Sequence, residues 1–209
     1  MLARIFGPGI GEIRRHWPAY VILNAGFYGL ILAGFVYAFI NPEAQRQLMA
    51  SVVQTFSSGP LSYARDAYLS RNVAAAAGIT FAVNTLLGSF ASLTLPSLLV
   101  PFAGSVIGLL RALVLGVTLA PSSPELARAM IPHSLVLIVE GQGYVLAMLG
   151  VHVLWTSAFS GARSGLEGLA RGYVAGLRAN AALYVLVAAT LAVSAVYEAF
   201  EVIYLVGVR

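Results

Sequence analysis

Twenty-two consecutive residues, 19–40, carry no charge, and Asn41-Pro42 ends the run. That is the length a helix needs to cross a hydrocarbon core, about 20 residues. A cleaved signal peptide would have a shorter apolar region, of about 7–15 residues, and a small-residue cleavage site. The run has no clear site of that kind and reads as a retained anchor. It is one of several. Over 209 residues the hydrophobic fraction is 59% and the charged fraction 10%. An ordinary soluble domain carries about 25% charge, so this chain lacks the polar residues to clothe a soluble surface. The expected fold class is all-α, a polytopic membrane helix bundle.

The remaining apolar sequence divides at its prolines and polar clusters. Residues 72–118 are almost uninterrupted, and as one helix they would reach roughly 70 Å. A break near Thr94-Leu95-Pro96, where proline interrupts the backbone ladder, gives spans at 72–93 and 97–120. Pro101 leaves open a broken or re-entrant start to the latter. Further spans fall at 130–155 and 181–205, so about five in one membrane domain, 1–209. Residues 41–71 form the longest polar connection. Arg46, Leu48, Val52 and Phe56 fall along one amphipathic helix there, broken at Ser57-Ser58-Gly59-Pro60, and a second short piece holds Tyr63, Arg65, Asp66 and Arg71. In 161–180, Leu166, Leu169, Tyr173 and Leu177 recur at helical spacing among Arg163, Glu167, Arg171 and Arg178, the pattern of an interfacial amphipathic helix.

The net charge is +4, and all twelve basic residues are arginine. They are scattered rather than clustered, so no nucleic-acid partner is expected. Without lysine there is no P-loop lysine or Schiff base, and without cysteine no thiol catalysis or thiolate metal site. No HExxH, GxGxxG or nucleophile elbow appears. No enzyme activity, cofactor or metal is expected. Arg4, Arg14, Arg15, Arg163, Arg171 and Arg178 fall on one side, and Arg46, Arg65, Arg71, Arg128 and Arg209 on the other. The juxtamembrane positions of the first set favour a cytoplasmic N-terminus in the cell membrane.

Ionisable groups inside spans are costly and face the bundle interior. Arg111, Glu140 and Glu198 lie about 13, 15 and 10 Å from the outer ends of their spans, and Asn84 about 18 Å. Four helices thus bring a polar group to similar depth. Either Arg111 pairs with Glu140 or Glu198 and pins the bundle, or these residues form a polar pathway or binding site. Glu201, nearer the end of its span, is expected to reach water by snorkelling. His133 and His152 are about 28 Å apart on one helix, too far to share a metal. Ala25, Gly29 and Ala33, Gly104 and Gly108, and Gly161, Gly165, Gly168, Gly172 and Gly176 form small-residue stripes. They suit close helix packing, within the chain or in a homo-oligomer.

The order Phe81-Ala-Val-Asn84-Thr85, Gly104, Leu115-Gly116, Ile131-Pro132-His133-Ser134 and Glu198-Ala199-Phe200 resembles the stage II sporulation protein M family. That family is similar in having five spans, a polar segment after the first, an Asn in the second, Pro-His-Gly opening the fourth and Glu-Ala-Phe closing the fifth. Here Ser134 replaces the motif glycine. Leu137 or Ile138 stands where a glutamate follows the histidine, and Glu140, seven after His133, is the nearest acid. Arg111-Ala112 replaces an Asn-Gly. The resemblance implies a non-enzymatic scaffold or subunit of a membrane complex, with the lipid bilayer and a protein partner or homo-oligomer as its surroundings. A transporter or channel component using Asn84, Arg111, His133, Glu140 and Glu198 is the alternative.

Overall fold

A computed structural model describes residues 2–59 and 61–206. Pro60 and Arg209 lie outside the described residues, as does the side chain of Phe56. The described residues form helices and no strand. In chain order they are α1 (Leu2–Arg15), α2 (Trp17–Ile40), α3 (Pro42–Ser57), α4 (Ser62–Leu69), α5 (Val73–Ser97), α6 (Ala103–Leu119), α7 (Pro124–Ala162) and α8 (Leu166–Val206). Four of these, α2, α5, α7 and α8, are long and apolar enough to cross a membrane, which fits an α-helical membrane protein.

Local chemistry sets the helix starts. Asn72 caps α5, its side chain accepting from the Ala75 amide at 3.1 Å. Ser123 caps α7 by accepting from Leu126, with Pro124 at the first helical position and Glu125 in the first turn, where a proline and a carboxylate are both favoured. The α7–α8 turn passes through Gly165 at φ +84, a left-handed conformation that a β-carbon disfavours.

Several boundaries differ from the sequence expectation: α7 runs Pro124–Ala162 where a span at 130–155 is expected, and two further differences bear on the packing. The helix α5 does not stop at Thr94-Leu95-Pro96; it continues through Pro96 to Ser97, and the chain turns at 98–102. Side chains hold this turn from three sides. Trp155 Nε1 donates to Ser97 O at 2.6 Å, the Tyr173 hydroxyl donates to Leu98 O at 2.7 Å, and the Gly104 amide donates to Ser97 Oγ at 2.7 Å. In addition, 161–180 is not a separate interfacial helix. Residues from Leu166 onward are the first part of α8 and pack on the end of α7. The physical reason is the glycines: a β-carbon at Gly161 would strike Gly168 O, one at Gly172 Ser157 O, and one at Gly176 would lie 2.7 Å from Leu154. With only hydrogen at those positions the two backbones touch.

The pair α7 and α8 is the axis of the bundle. Tyr144–Leu149, Val153, Leu183, Val187 and Leu191 are buried along it. The helix α2 joins through Phe27 and Ile31, and Gly34 meets Leu113 and Gly116 of α6 backbone to backbone. The α2 stripe of Ala25, Gly29 and Ala33 is exposed instead, with nothing near Gly29. The sequence does not foresee α1, an amphipathic helix whose Gly9 lies against Ala182 O and Leu186 of α8.

Candidate functional site: an interior polar centre

Antiparallel packing places His133 of α7 opposite Glu201 of α8, His133 Nδ1 lying 3.1 Å from Glu201 Oε2. Glu201 is therefore buried, at 1% exposure, and does not snorkel to water as its position near the end of a span suggests. The reason is the side of the helix it occupies: Glu201 points to α7 and not to lipid. Two turns below His133, Glu140 accepts from the Tyr144 hydroxyl at 2.8 Å. Glu198 of α8 lies near both His133 and Glu140. Asn84 of α5 faces the Glu140 carboxyl. Residues far apart in sequence, Asn84, His133, Glu140 and Glu198, thus meet at one centre.

Arg111 meets it indirectly. No ion pair joins it to Glu140 or Glu198; the ion pairs among the described residues are Arg15–Glu12, His16–Glu12, Arg46–Glu43 and His133–Glu201. Arg111 donates to Gly88 O at 2.5 Å and to Ser92 Oγ at 2.9 Å, and its guanidinium lies 5.1 Å from the centroid of the Tyr144 ring. The intervening Tyr144 explains the corrected pairing: its ring takes the cation and its hydroxyl the carboxylate. A cation over an aromatic face contributes about 0.5–2 kcal/mol, more when shielded from water.

The backbone around the centre is irregular. Residues Val83–Thr94 of α5 and Glu201–Val206 of α8 are wound as π-helix, a winding found often at functional positions. On α5 it begins beside Asn84; on α8 it begins at Glu201. The hydroxyls of Thr85, Ser89 and Ser194 are buried with no hydrogen-bond partner among the described residues.

Sequence reading misses two tyrosines here. Tyr144 follows Glu140 and Gln142 in its span and reads there as one more large core side chain. Tyr68 reaches in from α4, its hydroxyl 2.7 Å from Thr80 Oγ1. Burial, and then the nearby Glu198 carboxylate, push the Tyr68 phenol well above its ordinary value. A second polar chain also went unread. The Tyr20 hydroxyl donates to Gln142 Oε1, Gln142 Nε2 donates to Asn24 Oδ1 and to the Tyr28 hydroxyl, and Tyr28 donates to Ile138 O. The signal was present: Tyr20, Asn24 and Tyr28 recur every fourth residue on one face.

A cavity of about 40 Å³ touches His133, Glu140 and Tyr144. His133 also lines, with Glu201, an apolar groove of about 290 Å³ walled by Met49, Val53 and Met130. The histidine thus stands between groove and cavity. The other histidine of α7, His152, is far from the centre and packs edge-on against His16. Among the described residues no group of three or more His, Asp or Glu is placed to hold a metal ion. Comparison of the chain with protein-family models, curated proteins and solved structures gives no match.

Proposed function

We propose that the chain is a non-enzymatic, multi-pass protein of the cell membrane that serves as a scaffold or subunit of a membrane complex, as its resemblance to the stage II sporulation protein M family implies. Its five passes are α2, α5, α6, α7 and α8, with the N-terminus cytoplasmic. At 17 residues α6 is about 26 Å long, short for a span but flanked by partners on both sides. One observation supports the scaffold reading: several interior polar groups bind one another or a helix backbone across helix–helix seams. Arg111 ties α6 to α5, His133–Glu201 ties α7 to α8, and Gln142 ties α7 to α2. The polar elements α3 and α4 and the tip of the α7–α8 hairpin remain to face partners. Gentle solubilisation and affinity purification of the tagged full chain should recover a stoichiometric partner, lost when 42–57 is replaced by a flexible linker. Recovery of the chain alone, in monomeric form, would refute this reading.

A second reading, a transporter or channel component, is favoured by the carboxyls of Glu140 and Glu198. Neither has a cationic partner within ion-pair distance among the described residues, and Glu140 borders the cavity. Reconstituted in vesicles, Glu140→Gln should then change proton or cation flux while leaving the fold intact; equal flux in both proteins, or in protein-free vesicles, removes it.

A further inference from the structure

At the other end of the bundle α1, α7 and α8 line a further, open pocket of about 490 Å³. It is lined by Glu12, Arg15 and His16 from the N-terminal segment, Ser157 and Ser160 from α7, and Arg178 from α8. On the reading of α7 and α8 as spans, it falls where the apolar runs 130–155 and 181–205 end, at the level of lipid headgroups. Val153 and Ala182 form its apolar side.

Its charges are unevenly satisfied. Glu12 Oε1 accepts from Arg15 Nη1 at 2.8 Å, which neutralises that arginine. Glu12 Oε2 is buried without a hydrogen-bond partner among the described residues, with His16 Nε2 3.7 Å away. Arg178 is exposed and makes no ion pair among the described residues. The pocket therefore presents one open cation beside hydroxyls, and one buried carboxylate oxygen that lacks a donor. A buried acceptor left unmade is costly, so the complementary ligand carries an N–H donor as well as an anionic oxygen group. A phosphodiester joined to a primary amine has both. A quaternary amine has no N–H to offer, and a glycerol headgroup has no cation.

We propose that this pocket binds the headgroup of an amine-bearing phospholipid, with its phosphate on Arg178 and the hydroxyls of Ser157 and Ser160, and its ammonium on Glu12 Oε2. The test is reconstitution of the full chain in nanodiscs holding equal parts of phosphatidylethanolamine, phosphatidylcholine and phosphatidylglycerol. Mild detergent extraction and mass spectrometry of the retained lipid follow. The wild-type chain should retain the ethanolamine lipid over the choline lipid by about tenfold, the contribution of one charge-assisted hydrogen bond. Glu12→Gln should erase that preference, and Arg178→Ala should lower retention of all three lipids. Wild-type retention in the proportions supplied overturns the proposal, as does a Glu12→Gln chain that keeps the preference. Should Glu12→Gln fail to fold, the wild-type ratio decides. Soluble phosphoethanolamine bound by a chain that retains no lipid also overturns it, marking a small-molecule site.

Discussion

Where Gly161 faces Gly168 and Gly172 faces Ser157, α7 and α8 meet backbone to backbone. Where His133 faces Glu201, the same two helices meet through a hydrogen-bonded polar pair, with two further carboxyls and a tyrosine alongside. Lipid tails are as apolar as leucine, so no hydrophobic force draws two helices together inside a bilayer; close approach and hydrogen bonds must do so. The pair uses each device at a different end. Glycine contact brings the two backbones together, and the pocket at that end opens beside the seam, toward α1. Polar contact needs space for side chains between the helices, and a small cavity lies beside Glu140.

The largest expected effect breaks the tight end. Gly172→Val would drive side-chain atoms into Ser157 O and the Ala158 backbone, which cannot give as a flexible side chain can. A loss of about 3 kcal/mol or more is expected, read from reversible unfolding in mixed detergent micelles. Wild-type stability in this variant would mean that α7 and α8 are not in contact there. At the polar end Glu201→Ala should lose about 2 kcal/mol, the range of a hydrogen bond to a charged group. Glu201→Gln should recover part of it, since an amide can still pair with His133; equal losses in the two variants would assign the effect to packing.

Smaller effects sharpen the contrast. Arg111→Met removes the bonds to Gly88 and Ser92 and should lose about 1 kcal/mol, as interhelical polar contacts in membranes do. Combined with Tyr144→Phe the losses should fall short of additive if the ring links Arg111 to Glu140; strict additivity would deny the link. Least of all, Gly29→Ala should stay within about 0.5 kcal/mol, because its β-carbon enters open space. Gly34→Ala on the same helix should be severe, its β-carbon landing 2.6 Å from Leu113 O. A large Gly29→Ala effect would put a second copy or another partner on that face.

Much of the site was legible as residue types at depth. Asn84, Arg111, Glu140 and Glu198 stand out because each is polar in an apolar run, and counting along four helices puts them level. Their partners were not legible. Pairing depends on which side of each helix faces which neighbour, so Arg111 meets Tyr144 and not a carboxylate, and Glu201 turns inward. Tyr144 and Tyr68 were not legible because a tyrosine, in a span or in the polar connection 41–71, carries no mark of where its hydroxyl goes. The α7–α8 register had a trace in the glycine spacing, which marks close approach without naming the partner.

By itself the sequence determined the class. In a chain with 10% charge, uncharged runs of about 20 residues satisfy their backbone away from water as helices, and Asn41-Pro42 and Asn72 marked where α3 and α5 begin. What only the tertiary structure decided is how far the helices run and what the few interior charges do. The segment 161–180 carries an interfacial pattern, yet it continues α8 because its glycines find the end of α7. The interior charges settle by packing, since a guanidinium, a ring and a carboxyl combine according to distance and facing, which no one-dimensional spacing contains.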